Sequence, residues 1–119
     1  MNKIELKIGS KTYIFFFGLG FLGELIEEMN VTLESLMEKI NRNPFKYLPL
    51  MMFRSIEYGY TRKGQVIDFN QYDFADILQN NGGINSDEVV SFLEAFTKSI
   101  SNGADMDKKV PLVNEVKKS

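Results

Sequence analysis

Residues Gly18-Leu19-Gly20-Phe21-Leu22-Gly23 carry the G-x-G-x-x-G spacing of a dinucleotide-binding turn, after an aromatic run and ahead of a helical pattern. In such a turn the glycines let backbone N–H groups close on a pyrophosphate at a helix N-terminus. That chemistry needs a strand–helix–parallel strand unit, with an acidic residue about 20 positions further on. Here the region in question is Leu36-Met37-Glu38-Lys39-Ile40, a helical pattern. Lys11 to Phe17, which leads into the glycines, reads as the second arm of a hairpin begun by Lys3 to Ile8. The run is therefore read as structural, turning an aromatic strand sharply into a helix that packs back on it. An enzyme using Gly18 to Gly23 on a nucleotide is the catalytic alternative, tested by calorimetry with nicotinamide and adenine nucleotides.

The chain has no histidine and no cysteine, which removes the usual general base, thiolate metal sites and disulfides. Acidic pairs occur at Glu27/Glu28, Asp87/Glu88, Asp73/Asp76 and Asp105/Asp107. Paired carboxylates can act as acid and base or hold a hard cation. The first pair, however, falls on the solvated side of a helical stripe, and the next two suit the positive ends of helix dipoles. Asp105-Met106-Asp107 opens like a calcium loop, but Lys108-Lys109 and the missing glycine and terminal Glu spoil it. Arg54, Arg62 and Lys63 with Tyr58 and Tyr60 could form a basic–aromatic patch for single strands. In an acidic chain an ordinary loop surface is the simpler reading. Met37, Met51 and Met52 read as core filler before an adaptable groove. No catalytic residue, cofactor or metal is expected.

The elements that would position these residues follow from periodicity. Ile4, Leu6 and Ile8 alternate with Lys3, Glu5 and Lys7, and Gly9-Ser10 suits a type II′ turn. That register pairs Leu6 with Tyr13 and Ile4 with Phe15. It puts Ile4, Leu6, Ile8, Tyr13, Phe15 and Phe17 on one face, and Ile14 and Phe16 on the other. Helices are expected over about 20–29, 33–41, 48–58, 71–80 and 86–102. Their signals are Asn30 as a stop, Thr32 as an N-cap, Asn43-Pro44 ahead of a turn, and Gly59 as a C-cap. Pro49 argues against a helix running unbroken from Pro44. Asn70 with Phe69 and Phe74 forms a cap and staple; Asn85, Glu88, Ile84 and Val89 repeat that logic. The fold expected is α+β, mostly α: an antiparallel hairpin over 3–17 packed on four or five short helices in a single domain, 1–103. A flexible polar tail is expected over 104–119.

At 119 residues with 44% apolar content, ten Phe and five Tyr, the chain suffices for one core. A formal charge of −2 argues against duplex nucleic acid. No apolar run reaches the roughly 18 residues of a membrane span. The opening Met1-Asn2-Lys3-Ile4-Glu5 reads as strand rather than signal peptide. A soluble cytoplasmic protein, alone or as a homo-oligomer, is expected.

Residues 1 to about 100 resemble the small tail assembly chaperones of long-tailed bacteriophages of Gram-positive hosts and their prophages. The resemblance lies in Lys11-Thr-Tyr-Ile-Phe-Phe-Phe-Gly-Leu-Gly-Phe-Leu-Gly-Glu-Leu25, an aromatic second strand followed by Phe-Gly-Leu-x-Phe-Leu and a short acidic helix. It continues in Leu48 to Gly59, a buried helix ending in Tyr-Gly, and in the capped helix after Phe69, which follows a basic loop. The chain departs in its Gly9-Ser10 turn, its Gly82-Gly83 link and its long fifth helix. The resemblance implies a non-enzymatic protein that binds the tape measure protein, keeps it soluble, recruits tail tube subunits, and is absent from the mature virion. It also implies that a frameshifted, longer form can exist.

A tape measure protein is a long helical chain with apolar stripes, so its holder needs apolar, adaptable surface. Ile14 and Phe16 on the outer hairpin face, with Phe21 at the helix start, are the candidate partner-binding residues. The alternative in another class is a small phage-encoded regulatory or inhibitory protein that binds a host protein.

Overall fold

The computed structural model describes residues 3–109, with side chains through residue 100. Strands β1 (Lys3–Ile8) and β2 (Lys11–Phe16) form an antiparallel two-stranded sheet. Its register pairs Ile4 with Phe15 and Leu6 with Tyr13, as the alternation requires. Gly9 has φ +68°, whereas Ser10 keeps a negative φ, which is what a type II′ turn demands. Five helices follow: α1 (Leu19–Met29), α2 (Leu33–Arg42), α3 (Pro44–Arg62), α4 (Gln71–Asn80) and α5 (Asp87–Lys109). The result is the expected α+β, mostly α architecture.

A hairpin alone is marginal in water, and here its inner face is covered by rings. Tyr13, Phe15 and Phe17 meet Phe74 of α4 and Phe92 and Phe96 of α5, with centroids 5.3–6.4 Å apart. Phe69 joins from the loop before α4, 5.9 Å from Tyr13 and 5.7 Å from Phe53 of α3. Edge-to-face pairs of this kind add about 0.5–1.5 kcal/mol each beyond the area they bury. Helix α3 packs along β2, and α1 and α2 pack against α3. Met51 and Met52 are fully buried, and Met37 packs against that core from α2.

Several caps fall where the sequence puts them. Thr32 accepts a bond from the Ser35 N–H at 3.1 Å. Asn70 and Asp73 form a reciprocal capping box, with the Phe69 and Phe74 rings 6.3 Å apart as its staple. Asn30 ends α1 with φ +55°, and the Val31 N–H reaches the Ile26 carbonyl at 3.2 Å. Asn81 and Gly82 separate α4 from a single 3-10 turn over Gly83–Asn85, with Gly82 and Gly83 both at positive φ.

Four boundaries differ from expectation. Helix α3 is unbroken from Pro44 to Arg62, with Pro49 inside it. Proline there removes one hydrogen bond and costs about 3 kcal/mol. Leu48, Met51, Met52, Phe53 and Ile56 are all buried on the same helix, at about 1.5–3 kcal/mol per side chain, so packing wins. Gly59 is consequently interior and buried, and the glycine that ends α3 is Gly64, at φ +71°. The Gln65 N–H bonds the Tyr60 carbonyl at 2.9 Å and the Gly64 N–H bonds Thr61 at 3.0 Å, a Schellman ending.

The N-cap of α5 is Ser86 rather than Asn85: the 3-10 turn consumes Asn85, and the Ser86 hydroxyl accepts from the Val89 N–H at 3.2 Å. Helix α5 also continues through Asn102-Gly103 to Lys109. A lone glycine costs a helix about 1 kcal/mol and does not stop one that is anchored upstream. Of the tail expected over 104–119, residues 104–109 are therefore helical, and 110–119 lie outside the described residues.

Candidate interaction site

The glycine run sits where an antiparallel strand, not a parallel one, passes into α1. Gly18 is the N-cap residue at φ −59°, ψ 173°, an extended conformation open to any residue. An added Cβ on Gly23 would meet nothing within 4 Å. Gly20 is spatially constrained, its missing Cβ lying 2.1 Å from the Tyr58 hydroxyl. These glycines let α1 start beside α3; the strand–helix–parallel strand unit of a dinucleotide site is not formed among the described residues.

Within the basic–aromatic patch, Arg54 is committed to ion pairs. Arg54 reaches across to α1, bonding Glu28 at 2.8 Å, and bonds Glu57 on its own helix at 2.9 Å. Partial burial pulls its guanidinium pKa down, but hydrogen bonds and charge from Glu28, then from Glu57, outweigh this and hold it above the ordinary arginine value. The Arg62 guanidinium lies over the Tyr58 ring at 5.8 Å. Among the described residues no three carboxylates are grouped to hold a metal ion. No helix there is long and apolar enough to cross a membrane.

Of the three residues singled out on the hairpin and α1, Ile14 and Phe16 line one cleft and Phe21 lies apart from them. Phe21 is 2% exposed and packs 6.1 Å from Tyr58, so it belongs to the core. Phe16 is half-buried because α3 has no side chain at Gly59, and its ring fills that space. Ile14, also half-buried, shares a cleft of about 140 Å³ with Ile56, Tyr60 and Lys63. The covering element that the outer hairpin face needs is thus this chain's own α3. Two hydroxyls complete the join. Ser55, fully buried on α3, donates to the Phe16 carbonyl at 2.7 Å. Ser99 on α5 donates to the Phe17 carbonyl at 3.2 Å.

Apolar surface is left open elsewhere. Between the first turns of α3, the face of α4 and the 3-10 turn runs a groove of about 390 Å³. Phe45, Leu48 and Pro49 form one wall, Ala75 and Leu78 the other, and Ile84 and Val89 close the end. Phe45 is 75% exposed, and Tyr72, one turn before Ala75 on α4, is 72% exposed. The sequence signal was available: a phenylalanine directly after a helix-starting proline, and a tyrosine off the apolar stripe of the next capped helix. Neither stands out until α3 is known to begin at Pro44.

No protein family, no curated protein and no solved structure matches this chain.

Proposed function

We propose that this protein is a non-enzymatic tail assembly chaperone of a long-tailed phage or prophage, acting in the bacterial cytoplasm. It holds the tape measure protein soluble and helps bring tail tube subunits to it. Two supports stand behind this reading: the resemblance of the aromatic strand, glycine turn and buried Tyr-Gly helix, and the groove between α3 and α4.

The groove is the observation that carries it. Five large apolar side chains stand exposed among the described residues, Leu19, Phe45, Val66, Tyr72 and Val90, and of these Phe45 lines the groove. An exposed phenylalanine lining an apolar groove makes a binding surface for apolar helical segments. Phe21 belongs to the core, whereas Ile14 and Phe16 are half-buried beside α3; the groove is the more open apolar surface for the contact.

Co-expression with the tape measure protein tests the function. The chaperone should co-purify with it and raise its soluble fraction, and Phe45→Asp should abolish both while leaving far-ultraviolet circular dichroism unchanged. Tape measure that is equally soluble with and without the chaperone rejects the reading. Recovery of a host enzyme in its place would favour the regulatory alternative.

A further inference from the structure

The hairpin has two edges, and they are treated differently. Phe16 lies opposite Lys3, and its carbonyl takes the Ser55 hydroxyl of α3, so that carbonyl points away from β1. Backbone direction alternates along a strand, so the pairs that exchange bonds inside the hairpin are Ile4–Phe15, Leu6–Tyr13 and Ile8–Lys11. The two-residue turn gives the same assignment, because its flanking residues Ile8 and Lys11 close the ladder. Lys3, Glu5 and Lys7 therefore turn their N–H and C=O groups to the side of β1 away from β2. Helix α3 packs along β2. Among the described residues no strand lies on the other side of β1, and no backbone bond reaches those outward groups. All three residues are exposed.

An open edge is a template for another strand, and charges on it refuse a partner where like signs meet. Here the signs alternate, so register decides. A second copy approaching antiparallel about Glu5 would set Glu5 against the partner's Glu5 and Lys3 against the partner's Lys7, which is repulsive. Centred on Leu6, the pairing sets Glu5 against the partner's Lys7 and Lys7 against the partner's Glu5. Those are also the pairs whose outward backbone groups meet, and the whole stretch from Ile4 to Ile8 takes part. On the inner face Leu6, half-buried in one chain, meets the partner's Leu6 across the axis, and half-buried Ile4 meets the partner's Ile8. An axis at Ile4 would oppose Lys3 to the partner's Glu5 but join only residues 3–5 of the strand. The side chains favour Leu6 as well. The Lys3 ammonium lies 5.9 Å over its own Phe16 ring, whereas Glu5 and Lys7 form no ion pair with any described residue.

We infer that β1 pairs antiparallel with β1 of a second copy of this chain, about a two-fold axis at Leu6. The product is a four-stranded sheet in the order β2-β1-β1-β2, whose outer strands each lie along their own α3. The contact is isologous: Glu5 meets the partner's Lys7, and Lys7 meets the partner's Glu5. It gives each two-stranded ribbon the extra strands that stabilise a sheet in water. The inference does not depend on the chaperone reading.

The test is sedimentation velocity on the full-length protein, which should show a dimer that dissociates on dilution. Glu5→Lys and Lys7→Glu should each weaken association by about tenfold, because two opposed pairs turn repulsive. The double variant carrying both changes opposes the same charges with their signs exchanged, at unchanged net charge, and should recover the dimer. An equimolar mixture of the two single variants should form the mixed dimer in preference to either homodimer. Both positions are exposed, so unchanged circular dichroism shows that folding is intact. A chain that stays monomeric at every concentration overturns the inference. A dimer indifferent to Lys7→Glu, or one that both single variants weaken and the double variant fails to restore, overturns it too.

Discussion

Gly59 and Phe16 interlock across the α3–β2 contact: a Cβ built on Gly59 would lie 2.2 Å from Phe16 Cε1 and 2.6 Å from Cδ1. Carbon atoms in contact sit about 3.5–4.0 Å apart, so even a methyl group forces the ring or the helix to move. The absence of a side chain in the middle of a buried helix is what lets the outer hairpin face reach α3.

Gly59→Ala should therefore destabilise, despite a gain of about 1 kcal/mol in helix propensity. Overpacking costs about 1–3 kcal/mol or more, and the strand has little freedom to retreat. In a Phe16→Ala background the same change should become stabilising, because only the propensity gain survives. Urea denaturation of the four proteins gives the coupling; additive effects would mean that the two residues do not share this space. Gly20→Ala offers a contrast, since its obstacle is the tip of the Tyr58 side chain, which can swing aside.

Removing the Ser55 hydroxyl should cost about 1–3 kcal/mol, the usual penalty for stranding a buried acceptor. Ser55 is the one fully buried polar side chain among the described residues, and its 2.7 Å bond is to the Phe16 carbonyl. Ser99→Ala, whose bond is 3.2 Å and less enclosed, should cost less. Denaturation midpoints of the two alanine variants, compared at equal m-value, decide the order.

Pro49→Ala should raise stability. It restores an N–H opposite the Phe45 carbonyl and removes a helix penalty of up to about 3 kcal/mol, partly offset by about 0.4–1 kcal/mol of unfolded-chain entropy. An upward shift in the thermal midpoint is the expected result. A fall would mean that the ring's contacts in the groove wall outweigh the missing bond.

Asn70→Ala should lower stability by about 1 kcal/mol, within a range of about 0.5–2. Its Oδ1 accepts from the N–H groups of Tyr72 and Asp73, both at 2.9 Å, and Asp73 Oδ2 accepts in return from the Asn70 N–H at 3.1 Å. Hydrogen exchange should show faster opening confined to the first turn of α4.

What the sequence makes legible here is local. The hairpin register follows from strict alternation, and the caps at Thr32 and Asn70 follow from side chains that bond amides two or three residues away. The Pro49, Gly59 and Asn102-Gly103 positions look like helix ends because their local chemistry is that of ends. Tertiary packing decides otherwise for α3, whose buried face outweighs one lost bond. Ile14, Phe16 and Phe21 have the right residue types for a partner surface. Their burial depends on where α3 lies, and no periodicity reports that. The groove is hidden for the same reason, being made of two helices that meet only after folding.

The hydroxyls holding the end of β2 come from residues 39 and 82 positions downstream of the carbonyls they meet. A nascent chain leaving the ribosome therefore presents its hairpin long before the groups that finish it exist. Until α3 and α5 have been made, the aromatic face of the hairpin has nothing to pack against, and a two-stranded ribbon alone is marginal in water. Completion of the hairpin therefore waits on segments far along the chain.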